Sequence, residues 1–211
     1  MTVRVKICGI TSLEDALRAA EAGADALGFM LYEASPRAVS VKVASEIARA
    51  VPPFVSRVGV FVNAAEETLR KIVAEIGIDT LQFHGDETPE FCRRFSPWRV
   101  YKAFRIQGID SLQTLSNYKT DAWLLDSFVP GKPGGTGAKF NWDLAIEAKK
   151  LGRPIILAGG LTPENVAEAV RRVRPYAVDV SSGVESSPGR KDDLKVREFI
   201  AAAKRAELIP L

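Results

Sequence analysis

Short apolar runs alternate along this chain with longer stretches in which apolar residues recur at helical spacing. The runs predict strands at residues 3–10, 26–31, 57–62, 80–85, 100–106, 122–127, 155–160 and 177–183. The helical spacing predicts helices at 12–22, 41–51, 65–76, 89–95, 111–118, 142–151 and 163–173, with an eighth at 192–205. Local signals support several boundaries. Ser12 stands three residues before Asp15, and Thr162 sits before Pro163, as helix starts prefer. Gly23, Gly77 and Gly152 follow helix ends, where a left-handed residue stops the spiral.

Eight strand–helix units in 211 residues average about 26 residues each. Such alternation implies a parallel sheet with right-handed crossovers. Eight units close into a (β/α)8 TIM barrel, and no linker or composition shift divides residues 1–211, so the expectation is an α/β chain with a single barrel domain. An open doubly wound sheet would carry Gly-x-Gly-x-x-Gly after its first strand, and CGITSLED lacks it.

Composition narrows the function classes. Hydrophobic residues make up 46% of the chain, enough for a sizeable core, and no apolar run approaches a membrane span. The N-terminal MTVRVKICGI has no cleavage site, which favours a cytoplasmic protein. Net charge is +3 without a basic stripe, so neither nucleic acid nor membrane is an expected partner. Two cysteines build no disulfide framework, and a single histidine leaves no zinc triad; no metal or cofactor is expected.

The polar residues that break the pattern collect at strand ends, where barrels build active sites. Cys8 ends the first strand, His84 the fourth and Asp126 the sixth, while Arg37 lies in the loop after the second. Cys8 reads either as a small packed residue or as a nucleophile or base on the pocket floor. Alternation puts it on one face with Arg4 and Lys6, and a nearby Lys6 would lower the thiol pKa. Asp126 ends the apolar AWLLD, either capping a turn or serving as a general acid of raised pKa. His84 is a pocket donor or a turn residue. Arg37 is either a surface arginine or a fork for a carboxylate or phosphate.

Glycine-rich segments supply the clearest ligand signal. Residues 129–140, VPGKPGGTGAKF, form a long loop that reads as a lid or binding loop but does not match the P-loop spacing. LAGGLTPEN after the seventh strand and VSSGVESSPG after the eighth match the phosphate site common in barrels.

Six segments in order, KICGIT, GFMLYEASPRAVS, LQFHGDE, LLDSFVPGKPGGTGAKFNW, ILAGGLTPENV and VDVSSGVESSPGRKD, resemble the phosphoribosylanthranilate isomerase family of tryptophan biosynthesis, essentially end to end. That resemblance implies an Amadori rearrangement of a phosphorylated sugar substrate. It implies Asp126 as the acid, Cys8 as the base and Arg37 as the holder of the anthranilate carboxylate. It further implies a phosphate site at Gly159, Gly160, Ser182 and Gly183, with help from Gly135 and Gly137, and His84 lining the pocket. Monomer and homodimer both fit.

Rival barrels are weaker. An indole-glycerol-phosphate synthase would need further carboxylates and a lysine at strand ends, and a ribulose-phosphate epimerase would need a metal with histidine ligands. A non-catalytic phosphosugar-binding barrel would lack Cys8 or Asp126, and both are present.

Overall fold

In the computed structural model, which describes residues 2–127 and 141–206, strands and helices alternate along the chain. The first half runs β1 (Arg4–Cys8), α1 (Leu13–Glu21), β2 (Ala26–Met30), α2 (Val41–Ala50), β3 (Ser56–Phe61), α3 (Glu66–Ile76), β4 (Thr80–Phe83) and α4 (Pro89–Arg93). The second runs β5 (Arg99–Ile106), β6 (Ala122–Ser127), α5 (Trp142–Lys149), β7 (Ile155–Leu157), α6 (Val166–Val173) and β8 (Ala177–Val180). A short hairpin, β9 (Glu185–Ser187) and β10 (Arg190–Lys191), precedes the final helix α7 (Asp193–Ala206). Strands β1 to β8 pair in chain order, all parallel, and β8 closes on β1: a TIM barrel, as expected.

Alternation along the strands sorts the core into two layers. Val5, Ile7, Leu27, Phe83 and Trp123 face out and pack beneath the helices. Val58, Val60, Leu124 and Ile156 form a separate cluster with Cys8, filling the barrel's interior. The face that carries Lys6 and Cys8 therefore points inward.

The end of the barrel opposite the site carries a repeated tie. Asp25, Asp79 and Asp121 each stand one residue before an even-numbered strand and accept the backbone N–H of the preceding strand, at Val5 (2.9 Å), Arg57 (3.0 Å) and Val100 (2.8 Å). Each carboxylate also meets an arginine, namely Arg4, Arg57 and Arg99. Conserving strand register at this end leaves the other end free for loops.

Most predicted boundaries hold. Ser12 caps α1 by accepting from the Asp15 amide, and Gly77 ends α3 in the left-handed conformation, φ 75°. Two expected helices need correction. Residues 111–118 do not form a helix but lie in two 3₁₀ turns, Ile109–Leu112 and Leu115–Asn117. Ser111 and Thr114 give their hydroxyls to the carbonyls of Gly108 and Ser111, which competes with α-helical bonding. Leu112 and Leu115, both buried, are three apart and stack on a three-residue turn. The helix expected from Pro163 begins at Val166, because the Asn165 side chain bridges Thr162 N and Gly160 O and closes a separate turn first. The hairpin β9–β10 was not anticipated at all.

Candidate active site

At the C-terminal end of the strands the barrel opens into a cleft of about 510 Å³. Cys8, Arg37, His84 and Asp126 all line it, as do Gly159, Gly160, Ser182 and Gly183. Residues scattered over most of the sequence thus meet in one cavity. Gly135, Gly137 and the rest of the 129–140 loop lie outside the described residues.

Cys8 stands on β1 above a buried ion pair, in which Lys6 Nζ lies 2.8 Å from Asp179 Oδ1 on the neighbouring β8. Gly28 on β2 makes room for the thiol, since a Cβ there would lie 2.8 Å from Sγ. Burial pushes the Cys8 thiol above its ordinary value, and the Lys6 ammonium pulls down without overcoming it. The expected lowering by Lys6 exists as a contribution but loses to desolvation. Lys6 stays charged: Asp179, with smaller help from Cys8 and Tyr101, outweighs the burial that opposes its charge.

Asp126 is buried near the end of β6, and His84 Nε2 stands 3.6 Å from its Oδ2, beyond hydrogen-bond length. Gln82 Nε2 lies 2.9 Å from His84 Nδ1, and this contact orients the ring so that its other nitrogen stands towards the carboxylate. The loop bearing His84 is anchored from behind. The Glu87 carboxylate accepts from the amides of Asn63 and Gly85, and Lys102 Nζ donates to Gly85 O at 2.7 Å.

Arg37 reaches back over the first strand, with its stem so close that a Cβ on Gly9 would meet its Cδ at 2.8 Å. Its Nε and Nη2 each donate to Glu185 across 2.8 Å. Burial alone would raise the Glu185 carboxyl, but Arg37 and Lys191 together hold it below the usual carboxylate range.

The glycine–serine loops interlock. A Cβ on Gly183 would lie 1.9 Å from the Leu161 carbonyl oxygen, so only glycine lets the loops after β7 and β8 touch. Gly159 and Gly160 take φ 80° and 67°, and among the described residues neither amide donates a hydrogen bond. Ser181 and Gln82 also line this cleft, and their Oγ and Oε1 are buried without a hydrogen-bond partner among the described residues. A ligand bearing anionic oxygens and hydroxyls would satisfy these amides and side chains.

Gln82, Asp179, Ser181 and Arg105 line the cleft without having been singled out from sequence. The two-residue strand period could have found the first three, since Gln82 shares a face with His84 and Ser181 with Asp179. Glu185 and Lys191 had no sequence signal, because Glu185's partner Arg37 is 148 residues away.

A family model described as N-(5'phosphoribosyl)anthranilate (PRA) isomerase matches residues 5–202. The N-(5'-phosphoribosyl)anthranilate isomerase of Geobacter metallireducens is 59% identical over 202 residues, covering 96% of this chain and 99% of the relative. Among solved structures, mutually generated monomers of the dimeric enzyme from Thermotoga maritima superpose with a TM-score of 0.87 at 41% identity, covering 96% of this chain and 99% of that one. A phosphoribosylanthranilate isomerase in complex with reduced 1-(o-carboxyphenylamino)-1-deoxyribulose 5-phosphate superposes at 0.88 and 43% identity, with the same coverage. The match spans barrel and cleft together, and the chain belongs to the phosphoribosylanthranilate isomerase family.

Proposed function

We propose that this barrel converts N-(5-phosphoribosyl)anthranilate to 1-(o-carboxyphenylamino)-1-deoxyribulose 5-phosphate, with Asp126 as general acid and Cys8 as general base. The observation that carries the reading is that one cleft joins Cys8, Asp126, Arg37 and the glycine–serine loops. A relative of the same fold binds the reduced form of the expected product, which supports the ligand class.

In this reading Asp126 gives its proton to the furanose ring oxygen as the bond from that oxygen to C1 breaks, and the anthranilate nitrogen lone pair forms the Schiff base. The Cys8 thiolate takes the proton from C2, leaving an enolamine. Tautomerisation adds one proton at C1 and removes one from the C2 hydroxyl, so the net proton count is unchanged. A thiol whose conjugate base is made stronger by burial suits a weakly acidic C–H. Asp126 and Cys8 stand on β6 and β1, separated around the ring by β7 and β8, which bring the phosphate loops between them. Gly159, Gly160, Ser182 and Gly183 hold the phosphate, Gly135 and Gly137 supplement it, His84 lines the pocket beside the acid, and Arg37 takes the anthranilate carboxylate.

The test is turnover of substrate generated in place from anthranilate and phosphoribosyl pyrophosphate, followed by loss of fluorescence. Cys8→Ala and Asp126→Asn are each expected to lose at least about 10²-fold in kcat while remaining folded. Near-wild-type turnover in either variant removes that residue from its role. Arg37→Ala is expected to act mainly on KM. A cytoplasmic, single-domain protein of residues 1–211 working as a monomer or homodimer completes the reading; the relative from Thermotoga maritima is described in both states.

A further inference from the structure

We propose that Glu185, carried by the β9–β10 hairpin, is a positioning residue that sets substrate specificity: it grips one edge of the Arg37 guanidinium and turns the other towards a ligand carboxylate. The inference rests on the assignment of Arg37 to that carboxylate.

A guanidinium offers two forks. One is the side edge, Nε with Nη2; the other is the end edge, Nη1 with the second hydrogen of Nη2. Both 2.8 Å bonds to Glu185 use the side edge, and among the described residues Nη1 donates to nothing. The grip is itself fixed. Lys191 Nζ lies 2.9 Å from Glu185 Oε1, and the Gly189 amide donates to the same oxygen at 3.3 Å. Lys195 Nζ holds the Glu185 carbonyl at 3.1 Å, and Asp15 accepts from the Lys191 amide at 3.0 Å. On its other flank Arg37 rests against Gly9.

Charge gives the preference a sign. Arg37 and Lys191 bring two positive charges and Glu185 one negative, and all three side chains are at least 86% buried, so the cluster is one anion short. A planar carboxylate on the free fork completes it. Holding the arginine in place beforehand spares a long side chain its ordering cost when ligand arrives.

A different role for Glu185, as an internal stand-in that the ligand carboxylate must displace, predicts the opposite sign. Glu185→Gln keeps the shape and removes the charge. With phosphoribosylanthranilate we expect its KM to rise about 10- to 100-fold with kcat within about threefold, because the ordering cost of an arginine no longer gripped outweighs the stronger pull of a cluster left two anions short. With N-(5-phosphoribosyl)aniline, which lacks the carboxylate, KM should match the wild type. A merely structural defect would raise both. An unchanged or lowered KM for the anthranilate substrate, or an equal rise for both substrates, overturns the inference. Arg37→Lys, which keeps the charge but has no fork, gives an independent reading: it should lose the same discrimination, and retained discrimination overturns the proposal. Arg37→Ala separates the two levels. If it raises KM while Glu185→Gln does not, the inference alone falls; if Arg37→Ala leaves KM unchanged, the carboxylate assignment falls and the inference with it.

Discussion

Replacing Lys6 by methionine tests the buried floor of the site. The Lys6 and Asp179 side chains are 4% and 10% exposed, with Nζ and Oδ1 2.8 Å apart. Methionine follows the lysine stem closely, so packing changes little and the cost is mainly electrostatic. Removing one partner of a buried pair leaves the other charge uncompensated, at about 3–5 kcal/mol. That is a large share of the roughly 5–15 kcal/mol that holds a folded domain together. For a chain of this length each kcal/mol moves Tm by about 2–4 °C, so the variant should melt about 6–20 °C lower. Removing both charges in Lys6→Met/Asp179→Leu should recover most of the loss, because well-packed apolar replacements of buried pairs are often neutral. Far-UV circular dichroism and tryptophan fluorescence followed in parallel give the measurement, with Trp123 (1% exposed) reporting on the packed shell. Coincident transitions license a two-state comparison. A single variant within about 1 kcal/mol of wild type, or a double variant no better than the single, would refute the reasoning.

Other outcomes follow from the same geometry. Because burial raises the Cys8 thiol above its ordinary value, the basic thiolate is a minor form at neutral pH. In a Cys92→Ala background the rate of Cys8 alkylation by iodoacetamide should therefore climb with pH through and beyond the ordinary thiol range of about 8.5, and a plateau already reached at pH 7 would contradict the raised thiol. Asp25→Ala removes the tie to Val5 at the end remote from the cleft; denaturant unfolding should register about 1–3 kcal/mol of lost stability while kcat stays at the wild-type value. Gly183→Ala forces apart the loops after β7 and β8, and inhibition by inorganic phosphate should weaken at least about tenfold, with unaltered inhibition arguing against the phosphate site.

The barrel was legible because its signal is repeated: eight alternations of period support one another, and a boundary error in one does not disturb the rest. Cys8 and Asp126 were legible for a related reason, since strand alternation and the strand-end rule act over a few residues. The 3₁₀ turns at 109–117 escaped because apolar spacing of three fits either helix type, and hydroxyl-to-backbone bonds decide between them. The grip of Glu185 on Arg37 had no local trace; it exists only once the chain has come full circle. The thiol's upward shift was hidden differently. It is a contest between depth and a neighbouring ammonium, and sequence supplies the neighbour but not the depth.

The seam between β1 and β8 also sets an order of events in the making of the protein. Lys6 and Asp179, paired across it, are 173 positions apart. At about 5–20 residues per second of synthesis, the strand bearing the thiol waits about 9–35 s for the strand that completes its surroundings. Throughout that interval its Lys6 and Cys8 have nothing of β8 to pack against. The earliest part of the site to be synthesised is thus among the last to be finished, and the lysine that will be locked to Asp179 must be kept hydrated until then. A nascent chain halted anywhere before β8 would carry the cysteine without the environment that makes it a strong base.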